Sequence, residues 1–144
     1  MKTGHIGLNV TELGRSIEFY KDVFELDLIS QGRRGDSLFA SLSNEGKLSL
    51  TLWQQSEDKF DRHRAGLHHL SFVVSSTDEV RKVESKLAAL KVHFAYEGIV
   101  PHADGAESGG IFFMDPDGVR LEIYAEQGVT GVAPHGAAPT CGFF

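Results

Sequence analysis

Two stretches 64 residues apart, "HIGLNV" from His5 and "HLSFVV" from His69, share the pattern His-x-x-Φ-x-Val, where Φ is a large apolar residue. The segment after each stretch is repeated as well. Behind the first, Leu13, Ile17, Tyr20 and Phe24 recur at steps of 4, 3 and 4 in "TELGRSIEFYKDVFELD", one apolar face of a helix with Thr11 as its expected N-cap. Behind the second, Val80, Val83, Leu87 and Leu90 recur at steps of 3, 4 and 3 in "TDEVRKVESKLAALK". Three strand-like segments complete each copy. In the first they lie at about 27–34, 37–43 and 47–53, with Asn44-Glu45-Gly46 as a turn. In the second they lie at about 91–97, 109–114 and 119–125, with Asp115-Pro116-Asp117-Gly118 as a type I turn. A duplicated βαβββ order constrains the chain to an α+β fold in which each module packs a helix on one face of a sheet.

The modules are joined by the charged stretch "QQSEDKFDRHRAG" and not by a Pro/Gly linker, so they read as halves of one domain. Module one covers about residues 1–54, the linker 55–66 and module two about 67–126. A chain of 144 residues buries enough core to fold without a metal, so any metal would serve function. Residues 127–144, rich in Gly, Pro and Ala, are expected to form a disordered tail; the alternative is that Phe143 and Phe144 dock on an apolar groove.

Charge narrows the function. Asp and Glu outnumber Lys and Arg by 20 to 14, a net charge of -6, and no basic stripe interleaves with aromatics, which argues against a nucleic-acid partner. No apolar run approaches the length of a membrane span, and the one cysteine, Cys141, cannot form an internal disulfide. A soluble, cytoplasmic protein is expected.

Alternation along the strands sorts the polar side chains. Ile6, Leu8 and Val10 should meet the first helix, which leaves His5, Gly7 and Asn9 on the other face. Leu70, Phe72 and Val74 should meet the second helix, which sets His69 and Ser71 opposite and turns His68 toward the helix side. In the last strand Val119, Leu121 and Ile123 face the core, and Arg120, Glu122 and Tyr124 the other way. The counterpart of Glu122 in module one is Ser49 or Thr51. If both sheets face one cleft, His5, His69 and Glu122 form a 2-His-1-carboxylate set that suits one divalent metal ion, Fe2+ or Mn2+ foremost and Zn2+ or Ni2+ also, with coordination positions left open for chemistry. His102, in the polar loop "VPHADGAES", is a candidate general acid/base. Ser49, Thr51, Trp53, Phe112 and Tyr124 are candidates for a substrate pocket.

The stretches "HIGLNV...RSIEFYKDVFEL", "HHLSFVV" and "IFFMDPDGVRLEIY" resemble the vicinal oxygen chelate superfamily, which includes glyoxalase I, extradiol ring-cleaving dioxygenases, fosfomycin-resistance enzymes and bleomycin-binding proteins. The resemblance covers about residues 3–125. It implies one cupped, barrel-like mixed sheet around a metal cleft, with His5, His69 and Glu122 as the ligands. It further implies a metal-dependent enzyme that chelates a small-molecule substrate through two adjacent oxygens, nearest in ligand set to the extradiol dioxygenases, and a homodimer. Glyoxalase-like lyases or isomerases and epoxide-opening resistance enzymes are neighbouring readings. A reading of another class is a non-enzymatic binder of the bleomycin-resistance type.

Overall fold

The computed structural model describes residues 4–144, apart from the side chain of Leu48. The chain divides into two compact units, one of residues up to 61 with 116–118, the other of residues 62–115 with 119–144.

In the first unit β1 (Ile6–Val10), α1 (Leu13–Phe24), β2 (Asp27–Arg34), β3 (Ser37–Asn44) and β4 (Lys47–Gln54) follow one another. The strands lie in the order β1-β4-β3-β2, with β1 parallel to β4 and the other pairs antiparallel. Register explains the core: Leu8 pairs with Leu52 and Leu52 with Ala40, while Leu50 pairs with Leu42, so these residues share one face. That face is buried together with Leu13, Ile17, Tyr20 and Val23 of α1. Each large apolar side chain removed from water in this way contributes about 1.5–3 kcal/mol. The N-cap of α1 is Glu12, not Thr11: its carboxylate accepts from the N–H groups of Gly14 at 2.9 Å and Arg15 at 2.7 Å. Thr11 is engaged elsewhere, its N–H and hydroxyl both donating to the buried Asp117 carboxylate, at 2.9 and 2.6 Å, which also pairs with Arg15. The Thr11 hydroxyl accepts instead from Arg15 Nη2 at 2.9 Å, and the charged Glu12 carboxylate takes the N–H groups of the first turn.

The second unit repeats the order as β5 (Leu70–Val74), α2 (Thr77–Ala89), β6 (Val100–Pro101), β7 (Gly109–Met114) and β8 (Arg120–Ala125), arranged β5-β8-β7-β6 with β5 parallel to β8. The fold is thus α+β with paired βαβββ modules, each with its own four-stranded mixed sheet. Ile111, Phe113, Leu121 and Ile123 are buried along with Val80 and Leu87 of α2. The strand expected at 91–97 is reduced to a single bridge from Phe94 to Phe113, and the ladder resumes as the two-residue β6. Lys91 turns the chain out of α2 at φ 56°, and Pro101 lacks the N–H needed to carry β6 further. Between β7 and β8, Asp115 and Val119 close a three-residue loop through Asp115 N–H to Val119 O at 2.9 Å, with Gly118 at φ 85°.

Residues 127–144 are strapped to this unit through backbone groups, where a disordered tail was expected. Val129 N–H donates to Glu107 O at 2.9 Å, Asp104 N–H to Gly136 O at 2.9 Å and Thr140 N–H to His102 O at 2.8 Å. Phe144 is buried at 4% exposure while Phe143 stays 55% exposed, so one ring of the pair docks. Among the described residues, no helix is long and apolar enough to cross a membrane.

Candidate functional site

Glu122 lies in the middle of β8, paired in register with Ser71 of β5 and Phe112 of β7, and is only 3% exposed. A carboxylate at that depth needs partners. His102 Nε2 sits 2.6 Å from Oε1, and His69 Nε2 lies 3.7 Å from Oε2. His102 is held in turn by Ser108 Oγ, 2.9 Å from its Nδ1, so Nε2–H donates to the carboxylate and Nδ1 accepts from the hydroxyl. Three segments distant in sequence therefore meet: the residue preceding β5, the loop after β6 and the centre of β8.

A second chain of contacts reaches His69 from its other nitrogen. His68 Nδ1 is 2.8 Å from His69 Nδ1, and His68 Nε2 is 3.1 Å from Arg120 Nη1. Arg120 can only donate, so neutral His68 accepts at Nε2 and donates from Nδ1, which leaves the proton of His69 on Nε2, toward Glu122. His68 thus lies beside His69 and not on the helix side. Alternation did not apply to it because β5 begins at Leu70, after both histidines. Burial lowers the pKa of His69, against an upward pull from Glu122 and with further lowering by His68 and Arg120. Burial, then the Glu122 charge, pushes the Cys141 thiol up. Burial, then Cys141, raises Tyr96, whereas Arg120 draws it down.

The surroundings are aromatic. Phe112 packs on Phe144 at 4.9 Å and on Tyr96 at 5.4 Å between ring centres, and Tyr124 lies against His102 at 5.0 Å. Phe144 also reaches His69 at 5.9 Å. Of the residues singled out from the sequence, His69, Glu122, His102, Phe112 and Tyr124 thus come together in the second unit. His5, Ser49, Thr51 and Trp53 lie in the first. His5 stands exposed immediately before β1, as His69 stands before β5. Register decides between Ser49 and Thr51: Gly7, two residues after His5, pairs with Thr51, just as Ser71, two after His69, pairs with Glu122. Trp53 packs on Phe39 at 5.3 Å, and Ser49 Oγ donates to Lys47 O at 3.3 Å.

Ser108 and Arg120 join the site without a role expected for them from the sequence, and Phe144 joins it by the docking that was the alternative to a disordered tail. Arg120 was legible in principle, since it shares the β8 face of Glu122. Ser108 and Phe144 carry no periodic signal.

Among the described residues, no three His, Cys, Asp or Glu side chains are grouped so as to hold a metal ion. The pair His69 and Glu122 nevertheless fits one in donor type and spacing. An imidazole nitrogen and a carboxylate oxygen 3.7 Å apart both reach one ion at the usual bond lengths of about 2.0–2.2 Å. His102 on the far oxygen supplies the outer hydrogen bond that orients a ligating carboxylate.

A family model described as "Glyoxalase/Bleomycin resistance protein/Dioxygenase superfamily" matches residues 2–123. The chain is 32% identical over 142 residues to the trivalent organoarsenical cleaving enzyme of Bacillus sp. (strain MD1), a match covering 98% of this chain and 83% of that protein. It is 28% identical over 128 residues to the catechol-2,3-dioxygenase of Bacillus subtilis (strain 168), covering 86% of this chain but 41% of that protein, so it spans less than half of that relative's length. Among solved structures, the glyoxylase/bleomycin resistance protein/dioxygenase domain from Frankia sp. EAN1pec has a TM-score of 0.75 at 28% identity, covering 87% of this chain and 97% of that one.

Proposed function

Because this chain belongs to the glyoxalase/bleomycin resistance protein/dioxygenase superfamily, we propose that it is a metal-dependent enzyme that grips a small substrate through two adjacent oxygens, nearest in kind to the ring-cleaving dioxygenases. One observation carries this reading: a carboxylate buried to 3% exposure, tied by His102 through one oxygen, with its other oxygen toward His69. Burying a carboxylate is costly, and holding one oxygen by a neutral imidazole orients the other for a cation. His69 and Glu122 are two ligands on this reading. His5 is the third, on the strength of its matching place before β1.

When bound, the divalent ion supplies Lewis acidity to the substrate oxygens, and Fe2+ or Mn2+ suits this donor set best. Glu122 stays oriented by His102, which moves a proton at Nε2 only if it first releases that carboxylate. Phe112 and Tyr124 wall the site in the second unit; Ser49, Thr51 and Trp53 extend the substrate face in the first. Thr51 at the counterpart of Glu122 gives the first module no carboxylate of its own, which favours a three-ligand centre over a four-ligand glyoxalase.

Elemental analysis after anaerobic reconstitution tests the proposal. Wild type should hold about one divalent ion per chain, and His69→Ala and Glu122→Gln should lose it. Equal, negligible metal in wild type and His69→Ala would overturn it in favour of a metal-free binder. Turnover of a panel of catechols, hemithioacetals, epoxides and trivalent organoarsenicals then separates ring cleavage from lyase, isomerase and epoxide-opening chemistry. A cytoplasmic homodimer completes the reading, and light scattering on the purified protein tests the dimer.

A further inference from the structure

Among the described residues Arg120 is the one buried Arg or Lys, and the metal reading does not use it. Arg120 is 7% exposed, on the same face of β8 as Glu122 and two residues before it, a separation of about 6.6–6.8 Å between Cα atoms. Among the described residues its guanidinium has a single hydrogen-bond acceptor, His68 Nε2 at 3.1 Å, and its face lies 5.6 Å from the centre of the Phe144 ring. No carboxylate among those residues pairs with it. The charged group that bears on it most is another guanidinium, Arg62.

In a chain with 20 acidic and 14 basic residues, a buried cation left beside a neutral histidine and an aromatic ring does not reflect a shortage of acids. Buried charges are ordinarily paired, and an Arg fork that retains free N–H groups matches the two oxygens of a carboxylate or phosphonate. The histidine and the ring hold the guanidinium in place without neutralising it. We propose that Arg120 is an anion anchor: the substrate carries a carboxylate or phosphonate that binds Arg120 while its chelating oxygens face His69 and Glu122. The substrate class is then anionic, and a neutral chelator binds poorly. The substrate assignment rests on the metal reading, whereas anion binding at Arg120 does not.

The test compares binding by calorimetry of catechol, 3,4-dihydroxybenzoate and the corresponding phosphonate to protein loaded with Mn2+. Wild type should bind one or both anions about tenfold or more tighter than catechol, as a charge-assisted pair implies. Whichever anion binds tighter identifies the headgroup. Arg120→Met should abolish the preference of the anions over catechol, while Arg120→Lys should keep part of it. Equal binding of all three by wild type, or a preference that persists in Arg120→Met, would overturn the proposal. Should Arg120→Met not fold, the wild-type preference and Arg120→Lys decide. A second arm titrates benzoate and methylphosphonate into metal-free protein and follows the 15N signals of the Arg120 guanidinium and the His68 ring. A shift with either anion supports the anchor even if Mn2+ does not bind; no shift with either rejects the anchor even if Mn2+ does.

Discussion

Replacing His102 tests what holds the buried carboxylate in place. The 2.6 Å contact from His102 Nε2 to Glu122 Oε1 joins a side chain 27% exposed to one 4% exposed. A hydrogen bond to a charged group contributes about 1.5–3 kcal/mol. In His102→Ala the vacated space opens to solvent on the exposed side of the imidazole, and water recovers part of the bond. We therefore expect a loss of about 1–2 kcal/mol, a Tm lower by about 3–7 °C for a domain of this size. The second consequence is larger. With Oε1 no longer held, Glu122 loses its orientation, and Mn2+ affinity should fall by about 10–100-fold. Urea denaturation gives the first quantity and calorimetric Mn2+ titration the second. His102→Gln separates positioning from proton transfer, because an amide N–H can still donate to Oε1 but cannot act as an acid or base. It should restore much of the metal affinity lost in His102→Ala. Stability within about 0.5 kcal/mol of wild type together with unchanged Mn2+ affinity in His102→Ala would show that His102 neither holds nor orients Glu122.

Two further outcomes are expected. Asp117→Ala removes a buried acceptor from Thr11 N–H and hydroxyl and from Arg15, and should cost about 2–3 kcal/mol in urea denaturation, with Arg15 contributing little because it is largely solvated. His69 has a lowered pKa in the folded chain, so between that value and the ordinary imidazole value of about 6.5 the unfolded chain binds the extra proton. Stability should therefore fall as pH drops through that window and be flat above it. His69→Gln should flatten that part of the Tm profile, and an unchanged profile would count against the assignment.

Periodicity was enough to mark out the two modules, the helices on their apolar faces and the side of β8 on which Glu122 stands. A period is a local property of the chain, readable without knowing what packs against it. It misled where a period was absent or misapplied. His68 was placed by alternation in a segment that is not yet strand, and the edge strand expected at 91–97 shrank around Lys91 and Pro101. The remaining features of the site exist only once the chain has folded. Strand register, set by pairing across the sheet, made Thr51 and not Ser49 the counterpart of Glu122. Contacts over 20 and 52 residues of chain set His102 on Glu122 and His68 on Arg120. Hydrogen bonds made mostly by the backbone, and so carrying little mark in the sequence, tied down residues 127–144 and brought Phe144 over the site. Such pairings join polar groups that burial has deprived of water, and no window of sequence contains both partners.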